Sequence, residues 1–406
     1  MNRLVRRLLA LALLLSAAAT APAVDARAAS ARPGPPPAHD PPVLAYYYIW
    51  FDPSSWNRAK SDLPVLGKYS SDDAKVLRQH VIWAKQAGID GFVVSWKNTP
   101  VLDRRLSLLV DIAASQHFSL SIIYQGLDFS RRPQPVDRVA ADLEYFARTY
   151  ANRTPFRFSA KPLVVWSGTW KYSASDVARV TQPVRSRISV LASEKNVAGY
   201  ERIADFVDGD AYYWSSVDPE SNRGYLGKLI DLSNAVHRRG GLWIAPAAPG
   251  FDARKVGGTS TVARNNGVTF ERELATAKAS APDALGVISW NEFSENSHIE
   301  PSAKTGFRYL DVLASALGVH ATFPAPTGDS TDSSSPGHGA RTGLIVAPLA
   351  LAAAILASVV VVRRSRSEGE NARRRAKREA KQQHRAARAR RRRRRRSGPR
   401  ESVSVS

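Results

Sequence analysis

The sequence predicts an α/β fold, a (β/α)8 TIM barrel, with an N-terminal signal peptide and one C-terminal transmembrane helix. Three observations lead to the barrel. Apolar or aromatic runs alternate with helical patterns over residues 43–318. That stretch has about 276 residues, close to the usual size of one such barrel. A Pro/Ala-rich linker at 29–42 and a Ser/Gly/Pro-rich stalk at 319–342 border it.

Each predicted strand is followed by a predicted helix, which implies a parallel sheet. The strands are expected at residues 43–50, 91–96, 119–124, 162–166, 188–192, 211–214, 241–246 and 286–290. The fifth of these is the weakest. The helices are expected at residues 71–87, 104–116, 135–150, 175–186, 224–239, 269–279 and 305–317. The first helix has Ser and Asp residues at 70–73 as a start signal and Ala87-Gly88 as an end signal.

The net charge of +22 is concentrated at the two ends of the chain. Residues 363–406 hold 19 Lys and Arg against four Glu, a net charge of +15, and Arg3, Arg6 and Arg7 add +3. Residues 8–362 therefore carry only +4, so the folded part offers no basic surface for nucleic acid. The absence of cysteine excludes disulfides, thiolate metal sites and a cysteine nucleophile.

Both ends of the chain carry targeting patterns. Residues 1–28 combine arginines, a short apolar stretch and Ala-x-Ala segments, which favours a secretory signal peptide over an uncleaved anchor. Residues 343–362 are predicted to form a transmembrane helix, because residues 344–362 contain no charge. The basic tail at 363–406 then lies in the cytoplasm and the barrel outside the cell membrane.

The tail is expected to contact anionic lipid head groups, and a nucleic-acid partner for it is disfavoured. A cell-wall sorting signal around residues 326–328 is also disfavoured, because the Leu-Pro-x-Thr-Gly pattern is incomplete.

Tryptophans recur at the predicted carboxyl ends of strands, the rim that carries the active site in (β/α)8 barrels. They are Trp50, Trp96, Trp166, Trp214 and Trp290. Aromatic faces there can stack on sugar rings, although large aromatic residues also cap barrel cores. Five at equivalent positions favour a carbohydrate cleft.

Two glutamates directly follow the last predicted strand. Residues 286–295 read Gly-Val-Ile-Ser-Trp-Asn-Glu-Phe-Ser-Glu. Three residues apart in a turn, Glu292 and Glu295 can face one cleft, and glycoside hydrolysis needs one proton donor and one base or nucleophile. The alternative is a surface acidic pair, which the strand-end position and Trp290 disfavour.

The segment around these glutamates resembles the signature of glycoside hydrolase family 99. Residues 290–301 are similar to the family pattern W-N-E-W-x-E-G-x-x-I-E-P. Weaker similarities follow the family's order at residues 45–50, 67–71, 87–96, 208–213, 246–252 and 264–267. The resemblance implies a (β/α)8 barrel with endo-α-mannosidase or endo-α-mannanase activity.

The resemblance also implies residue roles. Glu292 would take the proton of the sugar 2-hydroxyl, whose oxygen attacks the anomeric carbon to give a 1,2-anhydro sugar. Glu295 would protonate the leaving oxygen and then activate the water that opens the epoxide with retention. Candidate substrate contacts are Tyr46, Tyr47, Trp50, Trp96, Tyr212, Tyr213, Trp290 and Asn291. For the tyrosines, packing in the core or rim is the alternative.

The chain departs from the family pattern at sugar-contacting positions. Residues 293–296 read Phe-Ser-Glu-Asn where Trp-His-Glu-Gly is common, residues 123–126 lack an acidic ending, and residues 165–168 lack a Tyr-Asp pattern. The sequence predicts a membrane-anchored, extracytoplasmic glycosidase that acts within α-linked mannan or a related α-glycan. The alternative is a glycan-binding barrel, with weak or no catalysis, that helps to assemble cell-surface polysaccharide.

No metal or cofactor is expected. His298-Ile299-Glu300 is read as structural, with Glu300 bonded to backbone near the turn. His80, His117 and His237 are expected to be surface or packing residues.

Overall fold

The protein is represented by a computed structural model that describes residues 41–128, 130–156 and 158–323. It confirms the predicted barrel, with eight parallel strands in one sheet. These strands are β1 (Val43–Tyr48), β2 (Gly91–Trp96), β3 (Ser119–Gln125), β4 (Leu163–Ser167), β5 (Ser189–Leu191), β6 (Gly209–Ala211), β7 (Leu242–Ala247) and β10 (Ala284–Val287). A short antiparallel hairpin, β8 (Phe251–Asp252) and β9 (Thr261–Val262), lies between β7 and β10.

The sheet closes between its two edge strands, β5 and β6. The strand order is β5-β4-β3-β2-β1-β10-β7-β6. Ala192 donates to the carbonyl of Gly209 at 2.9 Å and accepts from the amide of Ala211 at 2.8 Å. The short fifth strand is thus confirmed as the element that completes the wall.

The helices surround the strands as the alternating pattern predicts. They are α1 (Ala74–Gln86), α2 (Pro100–Ser115), α3 (Val136–Thr149), α4 (Ala174–Thr181), α5 (Val197–Glu201), α6 (Tyr225–Arg238), α7 (Val268–Ala279) and α8 (Arg308–Leu317). Asp73 caps α1 by accepting from the amide of Lys75 at 2.8 Å, as the start signal indicates. Helix α4 ends at Thr181, five residues before the predicted boundary. Pro183 follows closely and lacks the N–H that would continue the helical hydrogen bonds.

The sixth strand lies earlier than predicted, and a glycine explains its position. The prediction covered residues 211–214, whereas β6 is Gly209–Ala211. Gly209 has φ +150°, and a Cβ there would lie 2.1 Å from the carbonyl oxygen of Leu242. Only glycine allows β7 to approach this closely. The aromatic residues at 212–214 therefore follow the strand and reach the barrel mouth.

Alternate residues of each strand face two separate cores. In β1, Leu44 and Tyr46 point into the barrel, whereas Ala45 and Tyr47 face the helices. A third cluster at the mouth is formed by Tyr48, Phe51, Trp56, Tyr69, Val76 and Phe293. This mouth cluster lies beside the turn that follows β10.

The predicted signal peptide (1–28), transmembrane helix (343–362) and basic tail (363–406) lie outside the described residues, as do most of the linker and stalk. Within the described ranges, none of the helices has both the length and the apolar character needed to cross a membrane.

Candidate active site

The turn that carries Glu292 and Glu295 is anchored by Phe293, one of the two residues between them. Phe293 is fully buried in the mouth cluster. Its ring stacks on His298 at a centroid distance of 4.0 Å and meets Trp56 edge-on at 5.6 Å. A buried aromatic residue at this position fixes the direction in which the flanking glutamates leave the backbone.

Hydrogen bonds hold the backbone of the turn from two sides. The amide of Glu292 donates to the Ser289 hydroxyl at 2.9 Å. The carbonyl of Phe293 accepts from the amide and hydroxyl of Ser61, at 3.1 and 2.7 Å. The turn is therefore tied to the segment after β1 and to its own strand.

The second glutamate is held by the hairpin. The carbonyl of Glu295 accepts from the amide of Asp252 in β8 at 2.7 Å. Asn296, which follows, has φ +55°, and asparagine is one of the few residues other than glycine that adopt this conformation readily. The asparagine thus keeps the backbone shape that the family's glycine would allow.

Both carboxyls have raised pKa values. Burial, and next the negative charge of Glu295, raise the pKa of Glu292 to about 7. The amide of Ser294 donates to Glu292 at 3.0 Å and partly offsets this, as does the charge of Lys60. Burial also raises the pKa of Glu295, against the opposing charge of Arg131. Near neutral pH the pair can therefore hold a proton and also provide a base.

A pair of tyrosines lies within electrostatic range of the carboxyls. The hydroxyls of Tyr48, at the end of β1, and Tyr213, after β6, form a hydrogen bond with each other. Burial is the main cause that raises the pKa values of both phenols, and the charges of Glu292 and Glu295 raise them further. Trp50 stacks on Tyr48 at 4.3 Å and is 39% exposed. Tyr48 was missed from the sequence, although it shares the strand face of Tyr46.

Tyr46 lies beneath this pair, inside the barrel. Its ring packs against Tyr213 at 4.7 Å, and its buried hydroxyl has no hydrogen-bond partner among the described residues. Gln125, at the end of β3, interacts with Tyr213 and lowers its pKa. Gln125 thus places a neutral amide in the strand ending at which the family pattern has an acidic residue.

Asn291 joins the two strands that meet at the site. Its side-chain oxygen accepts from the amide of Tyr48 at 2.8 Å, and its nitrogen donates to the carbonyl of Tyr48 at 2.9 Å. The nitrogen also lies 3.3 Å from the hydroxyl of Tyr69. Asn291 is fully buried, so the structure places it as a support for Tyr48 rather than at the cleft surface.

A buried polar network supports this junction. Glu300 accepts from the Tyr69 hydroxyl at 2.8 Å and lies 3.1 Å from Nε2 of His80. Nδ1 of His80 lies 2.8 Å from the hydroxyl of Tyr47. The expectation that Glu300 binds backbone was wrong, because its carboxylate faces α1 and these side chains. His80 is a buried hydrogen-bonded residue, and Tyr47 belongs to this network outside the barrel.

Three other predicted contacts also lie away from the cleft, on the outer side of the barrel wall. Trp96 and Trp290 are fully buried. Trp96 packs on α3, and Trp290 lies next to His80. Tyr212 accepts a 2.8 Å hydrogen bond from Lys228 of α6. All three belong to the core between the strands and the helices. For Trp96, which ends β2, strand alternation explains this placement.

The residues after the turn point in different directions. The His298 side chain faces Arg264, and burial lowers its pKa well below the usual range. Glu300 faces α1 instead. In the described part of the chain, no group of three or more His, Cys, Asp or Glu is arranged to hold a metal ion.

Comparison with known proteins gives one family and several distant relatives. The model of Glycosyl hydrolase family 99 matches residues 54–319. A human glycoprotein endo-α-1,2-mannosidase-like protein is 24% identical over 312 residues, which cover 68% of this chain and 66% of that protein. The mouse glycoprotein endo-α-1,2-mannosidase is 22% identical over 284 residues, which cover 61% of this chain and 59% of that protein. The chain thus spans 59–66% of the length of these relatives.

Solved structures show the same fold. The family 99 endo-α-mannosidase from Bacteroides thetaiotaomicron superposes with a TM-score of 0.61 at 18% identity, covering 69% of this chain and 97% of that chain. A second structure, described as a glycoside hydrolase-like protein, gives a TM-score of 0.53 at 15% identity, with coverage of 71% and 97%.

Proposed function

Since the chain belongs to Glycosyl hydrolase family 99, we propose that it cleaves α-linked mannan, or a related α-glycan, within the polymer. The observation that carries the proposal is the turn after β10. It presents two carboxyls with raised pKa values at the barrel mouth, where the charge of one acts on the other. The relatives named as endo-α-mannosidases support the choice of mannan.

In the proposed reaction Glu292 takes the proton of the 2-hydroxyl. The 2-oxygen attacks the anomeric carbon as the glycosidic bond breaks, and Glu295 gives its proton to the leaving oxygen. The product is a 1,2-anhydro sugar. Water then attacks the same carbon, Glu295 takes the proton of that water, and Glu292 returns its proton to the 2-oxygen. Two inversions at one carbon give net retention.

The surroundings suit these two roles. A pKa of about 7 leaves Glu292 ionised in roughly half of the molecules at neutral pH, and burial raises the pKa of Glu295 as well. The proposed roles require the shared proton, which the free protein holds on Glu292, to lie on Glu295 once the substrate is bound. The Tyr48 and Tyr213 hydroxyls provide hydrogen-bonding groups beside both carboxyls. Trp50, partly exposed at the same rim, offers an aromatic face to a sugar ring.

The test is product analysis with the full chain. Incubation with α-mannan should release oligosaccharides, and NMR of the first product should show the α-anomer. Glu292→Gln and Glu295→Gln should each lose activity by at least about a hundredfold. Glu271→Gln, on the exposed face of α7, is the matched control and should keep full activity. Binding of mannan without any product would refute hydrolysis and favour the glycan-binding alternative.

We further propose that the barrel is exported and held at the cell membrane. The arginines of the signal peptide, the uncharged stretch at 344–362 and the basic tail support this arrangement. In this proposal the tail contacts anionic lipid head groups. A chain that ends at residue 318 should appear in the medium, whereas the full chain should sediment with membranes. Recovery of the full chain in the cytosol would contradict the proposal.

A further inference from the structure

Three residues after successive strands form an aromatic and basic surface at the barrel mouth, which we call the platform. Trp170 follows β4, Lys195 follows β5 and Trp214 follows β6. The two indole rings lie 4.9 Å apart, and the Lys195 ammonium lies 5.0 and 5.9 Å from their centroids. Both tryptophans are half-buried and Lys195 is exposed, so the surface is open to a ligand.

A second ammonium lies at the edge of the platform. Lys228 is 4.5 Å from the ring centroid of Tyr212, which in turn packs on Trp214 at 4.8 Å. Burial, and next the charge of Lys195, lower the pKa of Lys228. Lys228 also lines a groove of about 520 Å³ together with Asn196 and others. The fold thus brings two positive charges close together beside aromatic rings.

One arginine, Arg202, holds the first two members of the platform. Arg202 donates to the carbonyls of Thr169 and Tyr172, at 3.3 and 2.7 Å, and so fixes the loop that bears Trp170. It also forms an ion pair with Glu194 at 3.2 Å. Glu194 immediately precedes Lys195, so one guanidinium fixes both segments.

A buried carboxyl links this arrangement to β6. The amide of Glu194 donates to Asp210 at 2.8 Å, and Asp210 is fully buried. The amide of Ser193 donates to the Thr169 hydroxyl at 3.2 Å. Residues from all three loops are therefore positioned before any ligand arrives, which lowers the entropic cost of binding.

In the described part of the chain, neither Lys195 nor Lys228 has a carboxylate oxygen within 4.0 Å of its ammonium. The neighbouring acidic residues are otherwise engaged or more remote: Glu194 pairs with Arg202 and acts on Lys195 only through its charge, and Asp231 lines the groove beside Lys228 without an ion pair. Two like charges held together are unfavourable until an anion binds between or beside them. Aromatic faces suit the apolar side of a pyranose ring.

We propose that the platform is a subsite for a sugar ring that carries an anionic substituent, a carboxylate or a phosphate. The ring stacks on Trp170 and Trp214, and its anionic group binds the Lys195 ammonium. Trp214 directly follows Tyr213, whose hydroxyl bonds to Tyr48, so the platform is joined to the carboxyl site through one peptide unit. The proposal rests on the proposed function in one respect, since it places the anionic sugar in the glycan that is cleaved.

Binding measurements test the subsite apart from catalysis. The full chain with Glu295→Gln is titrated in a calorimeter with phosphorylated mannan oligosaccharides and with the same oligosaccharides after phosphatase treatment. A second arm compares oligosaccharides that bear a hexuronate with their carboxyl-reduced forms. The anionic form of at least one pair should bind roughly tenfold more tightly, as expected for one charge-assisted hydrogen bond. The arm that shows the preference identifies the anionic group.

When Lys195→Gln is combined with Glu295→Gln, this preference should disappear. The affinity for neutral oligosaccharides should stay within about twofold of that of the Glu295→Gln chain. Lys85→Gln, which removes the same charge at the end of α1 on the opposite side of the barrel, should change neither. Trp170→Ala should weaken both classes of oligosaccharide. Equal affinity for charged and neutral forms in both arms, or a preference that survives Lys195→Gln, would overturn the subsite.

The outcome for the subsite is distinguishable from the outcome for hydrolysis. If neutral mannan is cleaved by the wild-type chain but anionic groups add no affinity, the subsite is wrong and the proposed function stands. If no glycan is cleaved yet the preference depends on Lys195, the subsite stands and the hydrolytic function falls.

Discussion

The anchoring of the turn by Phe293 leads to a prediction that separates positioning from stability. Phe293→Ala removes a fully buried ring whose centroid lies 4.0 Å from that of His298 and 5.6 Å from that of Trp56. A buried Phe→Ala change costs about 3–5 kcal/mol of unfolding free energy through lost burial and a residual cavity. The ring sits between the two glutamates, so its loss should also let both carboxyls drift. A displacement of about 1 Å lowers kcat by roughly a hundredfold.

The matched control is Phe156→Ala. Phe156 is equally buried and packs on Phe146 and Tyr150, away from the mouth cluster. Urea unfolding should show a similar loss of stability for both variants, measured at a temperature where each remains folded. Mannan cleavage should fall only in Phe293→Ala. Equal kcat values in the two folded variants would refute the positioning role.

Three further predictions concern stability. The first concerns Glu292→Gln, whose unfolding free energy should rise relative to wild type by about 3 kcal/mol as the pH goes from 4.5 to 8. In wild type, the folded-state pKa of about 7 exceeds the unfolded-state pKa of about 4.5, so the stability present below pH 4.5 is lost as the pH rises through 7, whereas glutamine does not titrate. Equal pH profiles of the two proteins in urea unfolding would contradict this. Glu300→Gln should cost about 2 kcal/mol by leaving one of two buried donors without an acceptor, whereas Glu201→Gln, in a surface ion pair, should cost no more than about 1 kcal/mol. Gly209→Ala should prevent stable folding, whereas Gly227→Ala, which has open space in α6, should change the thermal midpoint little or raise it; equal effects would refute the close approach of β7.

The fold was largely predictable because strand patterns alternate with helical patterns along the barrel segment. The alternation of apolar runs and helical patterns located all eight barrel strands, including the three-residue β5. The boundaries that were missed depend on tertiary contacts. The start of β6 at Gly209 is set by the close approach of β7, and the hairpin of β8 and β9 has too few residues to give a periodic pattern.

The position of the two glutamates was more predictable than that of the aromatic residues. Their place after the last strand and next to Trp290 favoured a shared site, and the family resemblance supplied roles that stay a prediction. Tyr47 and Trp96 were assigned to the cleft because both faces of a barrel strand are apolar, so composition does not separate inside from outside. Since side chains alternate along a strand, Tyr48 was predictable as a residue on the same face as Tyr46. The platform was missed because its residues come from three loops far apart in the chain.

Hydrogen bonds from different segments of the chain hold the two glutamates of the turn in place. Glu292 depends on Ser289 and on the segment after β1, whereas Glu295 depends on the hairpin through Asp252. Insertions or substitutions in the hairpin would therefore displace Glu295, the proposed proton donor, before Glu292, the proposed base. Changes in the hairpin would in this way alter the proposed protonation of the leaving oxygen and leave the proposed proton removal from the 2-hydroxyl unchanged.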